Sequence, residues 1–271
     1  SEGTGFFNEG VFDFWNYTND PDGKNVTKGG MANLLPAADR VILSNDGGNS
    51  GPLISFENAT NASLLDMTGE TATEVAKLIS WVKGIDINDD DGDGSSVDSR
   101  VSIGDPLHSE PVVVTYGGND ANPDSTIFFG TNEGFIHAID TNNGEEEFAF
   151  LPRELHSLQK TMYVNTSAAG DRPYGMDGPI SVWMKDVNNN NVILRSDGSV
   201  ESGEHVYIYA GMRRGGSTYY ALDVTNRLQP RLLFKIEGGT GNFSKLGQTW
   251  SKMTPAKVNF GGQSRFVAFF T

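Results

Sequence analysis

The 271-residue chain contains no cysteine, which excludes disulfides, thiolate zinc sites and cysteine-based redox chemistry. Basic residues are also scarce. Twenty lysines and arginines stand against 35 aspartates and glutamates, a formal charge of -15. Nucleic-acid recognition needs a clustered basic face, so that class is excluded as well. An acidic chain stays soluble and can bind divalent cations, although charge alone names no partner. No run approaches the roughly 18–20 consecutive apolar residues of a membrane-spanning helix, so we expect no integral membrane segment. The opening SEGTGFFNEG lacks the charged-then-apolar order of a signal peptide. Histidine is sparse: His108, His137, His156 and His205 show no metal-ligand spacing and read as structural. Neither G-x-S-x-G, H-E-x-x-H nor a P-loop occurs.

What the chain has is turn residues and strand formers. Its 33 glycines and 11 prolines separate short runs rich in Val, Ile, Phe, Tyr and Thr, the pattern of a mainly β protein. Residues 1–60 are irregular, with a helical turn expected before Pro36 and a short strand at 40–44. The six N-x-[ST] sequons, at Asn16, Asn25, Asn58, Asn61, Asn165 and Asn242, arise easily in an Asn-rich chain and carry no argument. In TGETATEVAKLISWVKG, Val75, Leu78, Ile79 and Val82 recur at helical spacing. A helix is therefore expected over about 73–83, capped by Thr71 or Thr73 and stopped at Gly84.

From residue 101 the chain repeats itself. PVVVTY at 111, PISVWM at 179 and PAKVNF at 255 each open a unit, followed by STIFFGT at 125, HVYIYAG at 205 and RFVAFFT at 265. The first two units add two strands each, GFIHAIDTNNGEEEFAFL matching STYYALDVTNRLQPRLLFKI. Ala138, Ile139 and Asp140 align on Ala221, Leu222 and Asp223. Repeated four-stranded antiparallel units are the signature of β-propeller blades, with loops inserted at 151–178 and 237–254. We therefore expect a lead-in segment over 1–100 and incomplete propeller blades over 101–271. The start at a serine and the third unit stopping after two strands lead us to expect a piece of a longer chain.

Between the helix and the first unit lies GIDINDDDGDGSSVDSR, an acidic loop over 86–98. Asp89, Asp91, Asp93 and Gly94 fit positions 1, 3, 5 and 6 of the D-x-[DN]-x-[DN]-G calcium template, and Ser95 would give the carbonyl of position 7. Position 12 is Arg100 and not glutamate, so the EF-hand's bidentate ligand is missing. Asp98 is a candidate substitute, and Asp86 or Asn88 could join from upstream. Two readings stand side by side, a Ca²⁺ loop and a solvated acidic connector. Asp186, Asn188 and Asn190 in DVNNNN, and NDPDG at 19, read as turns.

Four segments in order resemble the PilC/PilY family of type IV pilus proteins: IGDPLHSEPVVVTYG at 103, FFGTNEGFIHAIDTNNGEEEFAFLPRE at 128, GMRRGGSTYYALDVTN at 211 and LGQTWSKMTPAKV at 246. WVKGIDINDDDGDG resembles the family's segment just before its propeller. The resemblance covers about residues 70–271. It implies a quinoprotein-like β-propeller, exported to the periplasm, outer-membrane surface or pilus tip of a Gram-negative bacterium. The implied roles are pilus assembly, twitching motility and adhesion, with pilins or minor pilins and host or abiotic surface receptors as partners. The family's best-known calcium loop lies later than this chain extends. No enzyme is expected. A quinoprotein dehydrogenase shares the blade motif, here with Phe148 in the tryptophan place, but its cofactor pocket commonly includes vicinal cysteines. A scaffold propeller of an outer-membrane complex is the remaining alternative.

Overall fold

A computed structural model describes residues 8–16, 21–23, 28–35, 39–165 and 172–271. Asn25, Pro36 and the first two residues of the 19–23 turn lie outside them. Asp22, within that turn, is buried and accepts from the Asp13 amide at 3.0 and 2.9 Å.

The lead-in contains α1 (Gly30–Asn33), β1 (Ile42–Ser44), β2 (Gly51–Pro52), β3 (Ile54–Ser55), α2 (Phe56–Ala59) and α3 (Ala72–Val82). The helical turn and the strand expected before residue 45 are both present. α3 starts at Thr71, whose hydroxyl accepts from the Glu74 amide at 3.2 Å, the geometry of an N-cap. It ends where Gly84 adopts φ +97°, a left-handed conformation that suits glycine after a helix. Its buried face is Leu78, Trp81 and Val82.

Two four-stranded antiparallel meanders follow. The first is β4 (Val112–Asn119), β5 (Asn122–Gly130), β6 (Ile136–Asp140) and β7 (Glu146–Phe150). The second is β8 (Ile180–Lys185), β9 (His205–Gly211), β10 (Thr218–Asp223) and β11 (Arg231–Glu237). The internal repeat extends to a defect in the pairing. The register between third and fourth strands shifts at Ala138/Ile139 in one meander and at Ala221/Leu222 in the other. These are the aligned positions, and a bulge locally increases strand twist in both sheets. A last hairpin, β12 (Thr254–Phe260) with β13 (Gln263–Phe269), forms a sheet of its own.

The lead-in strands join these sheets at their fourth strands. β1 pairs in parallel with β7, Ile42 opposite Ala149, and β3 pairs on β1. β2 pairs antiparallel with β11, Arg231 opposite Pro52. Unpaired edges invite association, and these two are covered by lead-in residues. One hydrophobic core runs through α3, the lead-in and the facing sides of both meanders, with Phe128, Phe148, Ile180, Val206 and Tyr220 buried in it. Phe148, in the tryptophan place, is 1% exposed and sits with its ring centroid 6.3 Å from that of Phe128.

Polar contacts fasten the two meanders as well. Tyr116, fully buried, donates to the Val224 carbonyl at 2.8 Å. Arg227 lies over the Tyr116 ring at 4.8 Å and pairs with Asp124 and, at 2.8 Å, with Glu147. The other face of the second meander carries a smaller core of Tyr209, Tyr219, Ala221 and Met253, onto which Ala268 and Phe270 pack.

The inserted segment at 151–178 differs from the expected loop. It contains α4 (His156–Val164), which packs its Tyr163 edge-on against Trp81 at 5.6 Å. Leu155, Leu158, Met162 and Tyr163 have helical spacing, but Leu155 occupies the N-cap position and supplies no capping side chain.

Candidate metal centre

The acidic loop is closed at its base by a short antiparallel neck. Ile85 bridges Ser99, the Asp86 amide donates to the Asp98 carbonyl at 3.0 Å, and the Arg100 amide donates to the Gly84 carbonyl at 2.7 Å. Within this neck Asp86 is 2% exposed and accepts from the Asp90 amide through both oxygens, at 3.0 and 2.9 Å. Its carboxylate is thus spent on holding the loop's first turn.

Above the neck the backbone coils around side chains. Asp89 Oδ1 accepts from the Gly94 amide at 3.0 Å, Asp91 Oδ1 from Asp93 at 3.1 Å, and Asp93 Oδ1 from Ser95 at 2.7 Å. Asp89, Gly92 and Gly94 have φ of +53°, +75° and +88°, and the two glycines make the coil possible without strain. The coil gathers Asp89, Asp91 and Asp93, each with a carboxylate oxygen within 4.8 Å of the others. Oxygens sharing one Ca²⁺ at roughly 2.3–2.6 Å are at most about 5 Å apart, so the trio fits a single hard cation. Asp89 is half-buried, while Asp91 and Asp93 face solvent.

The remaining candidates have different places. Asn88 is exposed just before the coil, and Ser95 is half-buried at its end. Asp98 is half-buried in the neck with Oδ1 shut off from solvent and without a donor. Arg100, where an EF-hand has its glutamate, turns away. Its guanidinium lies 3.9 Å from the Trp81 ring centroid and 3.6 Å from Glu133. Burial lowers its pKa against the opposing pull of Glu133.

The turn at 186 is built on the same plan. Asn190 donates to Asn188 Oδ1 at 3.1 Å, Asn191 to Asp186 Oδ2 at 2.8 Å, and Val192 to Asn190 Oδ1 at 2.8 Å. Asn189 and Asn191 take φ of +54° and +59°, the conformations that Gly92 and Gly94 take in the acidic loop.

A second constellation was not singled out by sequence reasoning. Asp177, with a side chain 0% exposed, accepts from His108 Nδ1 at 2.7 Å and Arg213 Nη1 at 3.2 Å. Arg213, a non-glycine residue at φ +51°, donates its amide to Thr249 Oγ1 at 3.0 Å and lies 5.1 Å from the Trp250 ring centroid. Arg214 donates to the Tyr174 hydroxyl at 2.8 Å. The segments IGDPLHS, GMRRGG and LGQTWS, far apart in sequence, therefore meet around one buried aspartate. Their recurrence as motifs was the available signal; the aspartate itself stood in no motif. Of the remaining histidines, His137 is held by Glu146 at 2.7 Å and His156 contacts Ser44 Oγ at 2.9 Å, both in the interior. His205 stacks on Tyr207 at 4.8 Å.

Among the described residues no helix is long and apolar enough to cross a membrane. No family model matches the chain, and no solved structure matches it significantly. Curated relatives do. The type IV pilus biogenesis factor PilY1 of Pseudomonas aeruginosa strain UCBPP-PA14 is 25% identical over 259 residues, 85% of this chain and 21% of the relative. The PilY1 homolog of Xylella fastidiosa strain Temecula1 is 26% identical over 235 residues, 77% of this chain and 18% of the relative. PilY1 of P. aeruginosa strain PAO1 is 29% identical over 139 residues, 50% of this chain and 10% of the relative. The chain thus spans about a fifth or less of the length of these relatives. Over most of its length it is a PilY1-like region, similar in sequence to type IV pilus biogenesis factors.

Proposed function

We propose that this chain is a binding region of a type IV pilus biogenesis factor and tip-associated adhesin, working at the cell envelope of a Gram-negative bacterium and not as an enzyme. The observation that carries this reading is the 25% identity to a pilus biogenesis factor over 85% of the chain. The meeting of three of the recurring motifs around Asp177 supports it. The two meanders are blades of a larger quinoprotein-like propeller, and the β12–β13 hairpin opens a third. Their loops present a surface to pilins, minor pilins or an external receptor.

Deleting the gene is expected to abolish surface pili and twitching, both restored by the intact gene. Normal piliation, twitching and adhesion in the deletion strain would remove the reading.

In the same proposal the acidic loop binds Ca²⁺ through Asp89, Asp91 and Asp93. The ion offsets the repulsion of three carboxylates held together. Because the loop is continuous with α3 at one end and leads to β4 at the other, the ion has a structural role, setting the helix against the first meander. Calorimetric titration with Ca²⁺ should show binding heat that disappears in an Asp89→Ala/Asp91→Ala/Asp93→Ala variant. Equal heats from variant and parent would exclude the trio as the site.

A further inference from the structure

A carboxylate outside the acidic loop has no counterpart to its charge. Glu204, just before β9, is 6% exposed, and both of its carboxylate oxygens are closed off from solvent with no hydrogen-bond donor. Buried carboxylates are ordinarily paired or hydrogen-bonded, because an isolated charge away from water is costly. This one is neither.

Its surroundings are rich in oxygen. Glu204 belongs to the wall of a cavity of about 380 Å³, which Asp223, Thr225, Asn226 and Arg231 also line. The strand start and the β10–β11 connection are tied together beside it, the Val206 amide donating to Thr225 Oγ1 at 3.0 Å. Asp223 uses Oδ1 to accept from the Thr225 amide at 3.0 Å and from its hydroxyl. Arg231 is exposed, and its guanidinium pairs with neither carboxylate. The wall therefore presents two carboxylates, a hydroxyl and an amide to one space, a donor set suited to a hard divalent cation.

We propose that Glu204 and Asp223 hold a second Ca²⁺ at this cavity, with Thr225 and Asn226 as neutral oxygen donors, tying the start of β9 to the β10–β11 connection. This site is separate from the acidic loop, and its proposal stands whether or not that loop binds metal. The competing account is that Glu204 is simply protonated, and the two make opposite predictions for an isosteric neutral variant.

Glu204→Gln removes the buried charge but keeps the shape. With EDTA present, the variant is expected to melt at or above the temperature of the parent chain. Added Ca²⁺ should raise the melting temperature of the parent, since a ligand of the folded state stabilises it, and this rise should be lost in Glu204→Gln. The measurement is made in the parent and in the Asp89→Ala/Asp91→Ala/Asp93→Ala background, where only the second site can respond. Equilibrium dialysis with Ca²⁺ gives the independent count: Glu204→Gln should bind one ion fewer, or bind it at least tenfold more weakly. Asp223→Asn should weaken the same ion. An unchanged stoichiometry and an equal Ca²⁺-dependent rise in Glu204→Gln would overturn the proposal. So would a loop variant that folds but takes up no Ca²⁺. Should the loop variant not fold, the single variants in the parent chain decide the matter through the same count.

Discussion

Replacing Arg40 with alanine is expected to cost about 3–5 kcal/mol of folding stability at neutral pH, the usual penalty for stranding a buried charge. Arg40 and Glu146 have side chains only 4% and 1% exposed. The guanidinium grips the carboxylate through Nε at 2.6 Å and Nη2 at 3.1 Å, while His137 Nδ1 holds Oε1 at 2.7 Å. Arg40 also covers the Phe135 ring at 4.9 Å. Without it, Glu146 keeps only the imidazole. Urea unfolding measures the loss, and a change under about 1 kcal/mol would show that the pair does not govern stability. Replacing both partners with apolar residues of similar volume should recover most of the loss.

The same group sets part of the acid limit. Burial is the largest influence on Glu146 and pushes its pKa up, but Arg40 and His137 outweigh it and hold the carboxyl at about 2. An unfolded glutamate titrates near 4.3. The native state thus binds its proton later than the unfolded state. This contribution, about 3 kcal/mol, is present in full above the unfolded value and lost as pH falls from there toward 2. His156 acts earlier. Burial, with help from Arg153, lowers its pKa to about 4, against about 6.5 when unfolded. The unfolded chain takes up a proton that the native imidazole refuses, so stability is lost as pH falls from about 6.5 to 4. His156→Gln should flatten this upper part of the pH–stability curve and leave the lower part, and an unchanged slope between pH 6.5 and 4 would discount the histidine.

Asp177→Ala is the second large effect, expected at about 2–4 kcal/mol. That corresponds to a fall in melting temperature of roughly 5–10 °C for a chain of this size. The aspartate is the shared acceptor for His108 and Arg213. Both donors are partly solvated, with side chains 29% and 23% exposed, so the penalty is smaller than for Arg40. Freed of its carboxylate, Arg213 should also shift relative to Trp250, now 5.1 Å from its guanidinium, and alter the tryptophan emission. A melting temperature within about 1 °C of the parent, with unchanged emission, would show that the three segments are held together by something else. Asp177→Asn should fall between the two, because it keeps an acceptor without the charge.

How far the sequence revealed all this depends on the range of each interaction. α3 could be read residue by residue, since its cap at Thr71, its apolar stripe and its stop at Gly84 lie within fourteen positions. The strands of the meanders emerged from their alternating residues and from the repeat, which even places a bulge at the aligned Ala138 and Ala221. α4 was hidden because it lacks a capping side chain at its start. The pairing of β1 with β7 could not be foreseen, since a three-residue strand has too few positions to show a period. In the acidic loop the alternation of Asp89, Asp91 and Asp93 announced the trio. That Asp86 would turn inward to the Asp90 amide depends on the neck, which forms only when Gly84 meets Arg100. Asp177 was invisible because its partners stand 69 and 36 residues away.

The placement of β1 and β2 has a mechanical consequence. Ile42–Ser44 lies along the edge of one sheet and Gly51–Pro52 along the edge of the other, with only residues 45–50 between them. A pull on the lead-in is therefore passed to both sheets within a few residues. It is resisted first where the Ala149 and Leu151 amides bond to the Val41 and Leu43 carbonyls at 2.9 Å. The lead-in works as a strap, so tension from the N-terminal side reaches the two sheets jointly before it can prise them apart.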